Sequence, residues 1–391
     1  MNRQLTRGAA AMTATAAILT ASTLIALTAP TAGATTPAAG TCPTAKTAKT
    51  AQPTALVGAT GRVAGDQTVT PVSTTTGKPG HRIKAGASRG QLAIVPGTTT
   101  VYVINHYSGT VTPVSLCTDK AGKPIKVGNG PDAVAFTPNG KIAYVANYSS
   151  GTVTPISTAA GKPGKPIKVG PEPWALAITP NGKTLYVSSR TGASITPITI
   201  ATGVPGQPIK VGDGPASIAI SPDGTTAYVA DTFSNQVSVL NLSAGQVTAT
   251  IAVGEHPNDI VMAPDGKTAY VTSKQADTLT PISTSTTQAG TPIHVKGDPR
   301  YVLITPNGQL AFVTGHSTAS FVTPIRLATG KALPAIKLRG NVEHSALTAD
   351  GKTLYSVSLR PGTVTPISTA TAKAGKPISL QGAPCYIAIA P

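Results

Sequence analysis

The sequence predicts an all-β protein, a β-propeller of eight four-stranded blades whose closing blade is shared between the N- and C-terminal ends. Three observations carry this: a repeat of constant length, a tight-turn signal at the same place in each repeat, and two end fragments that complete one another. TVTPVS at 68–73 returns as TVTPVS at 110–115, TVTPIS at 152–157, SITPIT at 194–199, QVSVLN at 236–241, TLTPIS at 278–283, FVTPIR at 321–326 and TVTPIS at 363–368. The second residues of these runs are spaced 42 apart five times, then 43, then 42. A fixed period of this length marks a repeat architecture in which each unit buries its apolar surface only against its neighbours.

Within each period four short apolar runs are separated by turn residues. In one unit these are Ala175–Pro180, Thr184–Ser188, Ile195–Thr199 and Pro208–Val211. Between the first two runs stands Asn-Gly or Asp-Gly, at 139–140, 181–182, 223–224, 265–266, 307–308 and 350–351. That dipeptide is the strongest short-range hairpin signal, because it supplies the positive φ a tight turn needs. A 42-residue unit of four antiparallel strands is one propeller blade.

Seven complete units run from about Gly90 to Leu380. Before them, Ala55–Gly86 supplies only a second, third and fourth strand; after them, Cys385–Pro391 supplies only a first. Residues 55–391 number 337, which is eight times 42 plus one. The two fragments therefore make an eighth blade, the C-terminal strand pairing with the N-terminal three. The alternative, seven blades with spare ends, leaves two apolar fragments as bare edges, which natural sheets avoid.

YVANYSSGTVTPIS (144–157), AITPNGKTLYVSS (177–189) and SPDGTTAYVAD (221–231) carry a resemblance to the YVTN-type β-propeller repeat family, over essentially all of 55–391. The resemblance implies a secreted or cell-surface repeat protein; many members are described as seven-bladed, so eight rests on the count above. The sequence departs from the family at Pro71, Pro113, Pro155, Pro197, Pro281, Pro324 and Pro366, where a β-branched residue is usual. Proline cannot donate to a ladder, so a bulge or late start is expected in each third strand.

Residues 1–34 read as a secretory signal peptide: Arg3 and Arg7, an apolar stretch from Gly8 to Ala29, then Ala32-Gly33-Ala34. Residues 35–54 are low in complexity and read as a tether. The mature chain is thus expected to be extracellular, with no transmembrane segment. Net charge is +17, yet only 12% of residues are charged, which excludes coiled coils and long amphipathic helices. Much of the charge is periodic: Lys84, Lys126, Lys168, Lys210 and Lys337 on outer strands, and Lys141, Lys183, Lys267 and Lys352 beside turns. This spreads over the rim and underside, favours solubility and edge protection, and does not mark a focused nucleic-acid site. Tyr102, Tyr144, Tyr186, Tyr228, Tyr270, Phe312 and Tyr355 recur at one position of the second strand and are expected between blades, as packing.

Propeller ligands bind where the fourth-to-first and second-to-third loops meet around the channel, here called the top face. Residues that break the repeat there are the binding candidates: His106, Tyr148, Trp174, Arg190, Asn258, Lys274, Arg300, His316, Glu343 and His344. Polar residues also belong in loops for bland reasons. No nucleophile elbow, phosphate loop or His-Glu-x-x-His occurs, so no catalytic residue, metal site or cofactor is assigned. Of three cysteines, Cys117 and Cys385 lie on opposite faces, and Cys42 on the tether is the expected partner of Cys117. The expected function is that of a monomeric, secreted, non-enzymatic binding or scaffold propeller at the cell surface, its partner an anionic wall polymer or another surface protein. The alternatives are a lactonase-like extracellular hydrolase or lyase working at the mouth, with His256, His316, Glu343 and His344 to test, and a binder of polyanions. Sugar-lactone hydrolases share the architecture, but no motif here carries their acid–base residues.

Overall fold

A computed structural model describes residues 54–60, 67–86, 90–316 and 320–390. These form eight antiparallel sheets. Blades 1 to 7, in chain order, begin with the inner strands Leu92–Ile94, Pro131–Phe136, Pro173–Ile178, Pro215–Ile220, Pro257–Met262, Pro299–Ile304 and Val342–Leu347. The closing blade takes its inner strand, Ala383–Ala390, from the C-terminus and pairs it antiparallel with Thr54–Thr60, followed by Gln67–Ser73 and Ile83–Gly86. The eight-blade count and the shared closure hold as expected. Among the described residues no helix is long and apolar enough to cross a membrane. The regions read as signal peptide and as nearly all of the tether lie outside the described residues.

The core is not central. It is divided into eight apolar wedges, one at each seam between neighbouring blades. In one wedge Ala133 and Tyr144 of blade 2 meet Leu176, Leu185 and Ile198 of blade 3. Tyr355 of blade 7 meets Ala55, Val57 and Ile387 of the closing blade, so the last seam is built like the others. The recurrent second-strand aromatics are all buried in these wedges. Burial of each such ring contributes about 1.5–3 kcal/mol.

The underside hairpins show why Asn-Gly and Asp-Gly recur. In blade 2 the Gly140 N–H donates to Thr137 O, and Asn139 Oδ1 accepts from the Thr137 hydroxyl and the Lys141 N–H. Gly140 holds φ +66, and a Cβ there would stand 2.6 Å from Pro96 O of the preceding blade. Gly140→Ala is therefore expected to cost roughly 1–3 kcal/mol in urea unfolding. Gly245→Ala is the control: its φ of +64 is equally strained, but nothing lies within 4 Å of its Cβ. It is expected to cost only about 1 kcal/mol.

The prolines act on a neighbour rather than on their own strand. The third strands run through Pro113, Pro155 and their equivalents in unbroken register, Tyr144 facing Pro155. The expected bulge or late start in the third strand is absent, and the interruption falls on the fourth. Blades 1, 2, 3, 5, 6 and 7 have fourth strands split into two short pieces, such as Lys162–Pro163 and Ile167–Lys168. Proline offers the outer strand a carbonyl but no N–H, so Gly164 N donates to Pro155 O at 2.7 Å and the ladder stops. Blade 4 has Val239 in that place, and its fourth strand, Gln246–Ala252, is the continuous one.

Candidate functional site

Inner strands reach the top face through a β-bulge. In blade 2, Pro131 faces Asn147 and Ala133 faces Ala146, which leaves Asp132 as the extra residue. The same shift leaves Ala216, Asn258, Arg300 and Glu343 unpaired in the ladder of blades 4 to 7, and takes in Trp174 in blade 3. A bulge re-aims side chains. Here it frees the second residue of each inner strand to meet the first residue of the second-to-third loop of the preceding blade.

Those meetings account for most of the candidates. His106 Nδ1 lies 2.6 Å from Asp132 Oδ1, joining blades 1 and 2. Tyr148 stacks edge-on against Trp174, centroids 5.7 Å apart, joining blades 2 and 3. Burial, and then a hydrogen bond to Glu172, push the Tyr148 phenol up to about 12. Thr232 Oγ1 donates to Pro257 O across the seam of blades 4 and 5. Lys274 and Arg300, two cations at one seam, flank Asp298 at 3.8 and 3.9 Å. His316 Nε2 stands 3.0 Å from Glu343 Oε1, joining blades 6 and 7. Opposite Arg190 the repeat offers only Ala216. The guanidinium instead lies over its own blade's Trp174 ring at 4.8 Å and over Phe233 of blade 4 at 5.5 Å.

Two candidates sit deeper. Asn258 is buried and donates to Arg300 O at 2.7 Å. His344 packs between Tyr301 and Tyr386, and burial pulls its imidazole down to about 4. Of the residues put forward for hydrolysis, His316 and Glu343 are paired; His344 lies in its aromatic slot and His256 against Phe233. Among the described residues no group of three His, Cys, Asp or Glu is arranged to hold a metal.

Sequence reasoning passed over Asp298, Glu172 and Phe233. Phe233 had a signal: it occupies the repeat position of Tyr107, and both rings are exposed, at 55% and 74%. Asp259 is buried one residue further along its inner strand. It accepts from Ser217 Oγ at 3.0 Å and the Val302 N–H at 3.1 Å, which ties blades 4, 5 and 6 together. Burial pushes its carboxyl up to about 7. Asp231, at the end of a second strand, accepts from Ser238 Oγ at 2.6 Å and is pushed up to about 6 by burial.

Cavities open elsewhere. One of about 1070 Å3 lies on the underside of blades 5 to 7, lined by Pro264, Asn307, Arg326 and Thr371 among others. Cys117 is disulfide-bonded and Cys385 keeps its thiol, so these two are not joined to each other. Cys42, the expected partner of Cys117, lies outside the described residues.

Comparison with known proteins reinforces the fold. Hydrazine synthase of Kuenenia stuttgartiensis matches with a TM-score of 0.60 at 23% identity, covering 72% of this chain and 95% of that one. Dihydro-heme d1 dehydrogenase NirN matches with a TM-score of 0.71 at 16% identity, covering 86% and 75%. A functionally unknown protein from Desulfotomaculum acetoxidans matches with a TM-score of 0.60 at 15% identity, covering 74% and 98%. Identities this low show the propeller fold alone. No curated protein matches the chain. Residues 204–333, which span blades 4, 5 and most of blade 6, match the family described as "Lactonase, 7-bladed beta-propeller", and over that segment the chain is similar to it.

Proposed function

We propose that this is a secreted, non-enzymatic binding propeller of the YVTN type, which presents its top face to a ligand at the cell surface. The observation that carries the reading is the arrangement of the mouth. The polar side chains that break the repeat join neighbour to neighbour around the ring, His106 to Asp132, Lys274 and Arg300 to Asp298, His316 to Glu343. A His–carboxylate pair can act as a base and its orienting group only where a nucleophile and oxyanion donors converge on the same reacting point, and the pairs here lie at separate seams. Groups fixed to each other at the seams of blades 1–2, 5–6 and 6–7 make a rim suited to recognition.

The test is binding by the exported protein. A mature chain beginning near Thr35 is expected in the medium, and it should sediment with cell envelopes. A top-face variant, Arg190→Ala with Phe233→Ala, should release it, and an underside variant, Asn307→Ala, should not. Equal sedimentation of both variants would count against the top face.

A second reading, a lactonase-like hydrolase, is favoured by the family match over 204–333. It requires turnover of a lactone that depends on the mouth residues, His316 and Glu343 before others.

A further inference from the structure

On blades 1 to 5 the top face carries an aromatic arc. Tyr148 meets Trp174, Arg190 lies across Trp174 and Phe233, and Phe233 meets His256 with centroids 6.2 Å apart. Tyr107, edge-on to His106 at 5.1 Å, extends the arc to blade 1. Three features set it apart from ordinary packing. Phe233 and Tyr107 share one repeat position, which other blades fill with Ser149, Thr191 and Gln275, and both rings face water. The water-facing part of such a ring gains nothing for the fold, and it is a binding feature when it recurs beside others. The Arg190 guanidinium, half-buried against two rings, has no carboxylate of the described residues in ion-pair range. Its planar N–H fork is left to donate outward.

The charge of the arc is opposite to that of the chain. Among the described residues, the top loops of blades 1 to 4, with the loop leading into blade 5, contain Asp132, Glu172, Asp213 and Glu255 against Arg190 alone and no lysine, formally −3 in a protein of +17; Arg89, before blade 1, lies outside the described residues. Residues with carboxylates adjoin Tyr148, Phe233 and Tyr107. Glu172 helps raise the Tyr148 phenol, Phe233 N donates to the backbone O of Asp213 at 3.0 Å, and Asp132 holds His106 beside Tyr107. Carboxylates repel phosphate and sulfate, so a polyanion does not suit this surface. A cationic ligand needs the space over a ring face, and between Trp174 and Phe233 that space already holds Arg190.

What remains is a row of ring surfaces bordered alternately by acceptors and donors. We infer that this arc is a saccharide-binding surface, taking a neutral oligosaccharide whose pyranose C–H faces lie on Phe233, Tyr107 and Tyr148. Its hydroxyls, each both donor and acceptor, bond the carboxylates and Arg190. The weakly positive C–H groups of a sugar face match the negative face of an aromatic ring. This rests on the binding reading above and names the ligand class for the same face.

Trp174 is the single tryptophan, so its emission reports from within the arc. The mature protein should be titrated with cellohexaose, chitohexaose and mannohexaose, with choline and hexalysine as cationic probes, following Trp174 emission and the heat of binding. At least one neutral hexasaccharide is expected to give a saturable change. Phe233→Ala and Tyr107→Ala should each weaken it about tenfold, the 1.4 kcal/mol of one lost stacking contact, with an unchanged melting curve. No response to any hexasaccharide, a response to the cationic probes alone, or wild-type affinity in Phe233→Ala would overturn the inference. If the hexasaccharides fail while envelope sedimentation still depends on the top face, the binding reading stands and the saccharide does not. If a hexasaccharide binds and is cleaved, the saccharide stands and the non-enzymatic reading falls.

Discussion

A chain ending at Gln381 is expected to lose its cooperative fold. The missing strand, Ala383–Ala390, is the inner strand of the closing blade, paired with Thr54–Thr60 along its length. It buries Cys385, Tyr386 and Ile387, which sit in the two wedges on either side of that blade. Three side chains of this kind contribute about 1.5–3 kcal/mol each, and the sum approaches the 5–15 kcal/mol that separates a whole domain from its unfolded state. The strand also supplies the pairing that hides the edge of Thr54–Thr60, so the truncated ring should aggregate as well as melt. Ile387→Ala is the graded version, with an expected cost of about 2–4 kcal/mol in urea unfolding. A seven-bladed ring with a spare C-terminus would tolerate both changes.

Asp259→Asn and Asp231→Asn are expected to flatten the fall in stability between about pH 4 and pH 7. Burial holds both carboxyls above their ordinary 3.8, at about 7 and about 6. As pH rises past 4 the unfolded chain gives up these protons while the native chain keeps them, so ionisation draws the equilibrium toward the unfolded state until the folded values are passed. A tenfold difference in proton affinity between folded and unfolded chains corresponds to about 1.4 kcal/mol, so the pair makes the protein less stable at pH 8 than at pH 4 by a few kcal/mol. His344 works in the opposite direction. Its folded value of about 4 lies below 6.5, so its contribution is lost as pH falls through that window. The difference between variant and wild-type melting curves isolates the carboxylates. Asparagine is also the repeat's own choice: Asn105 and Asn147 occupy the place of Asp231, with Asn147 Nδ2 donating to Thr154 Oγ1 at 2.9 Å. Asp259→Leu should flatten the curve as well but lower it at every pH, because the Val302 N–H and the Ser217 hydroxyl lose their acceptor, at about 1–3 kcal/mol each.

The fold was legible because every level of the sequence repeats the same message. The turn at Asn139-Gly140, the ring at Tyr144 and the proline at 155 each recur blade by blade, and the incomplete ends add up to one unit. The proline's effect was misplaced for a simple reason. A missing N–H shows in the strand that would have received it, so Pro155 breaks the run from Lys162 to Lys168 and not its own. At the mouth, the repeat showed which residues were unusual but not whom they face. His106 and Asp132 lie 26 residues apart, His316 and Glu343 27, a distance that becomes contact only because the bulge turns the inner strand's second residue toward the preceding blade. Phe233 shares the repeat position of Tyr107, but its place beside Arg190 is visible only in the structure.

The most direct test of a mouth built for binding is hydrolysis itself. The purified protein should be assayed against a panel of aliphatic and sugar lactones, with and without added divalent metal, beside the Glu343→Gln and His316→Ala variants. All three proteins are expected to leave every lactone at its uncatalysed rate. Turnover by the wild type that falls a hundredfold or more in Glu343→Gln, the scale of a lost general acid or base, would contradict it.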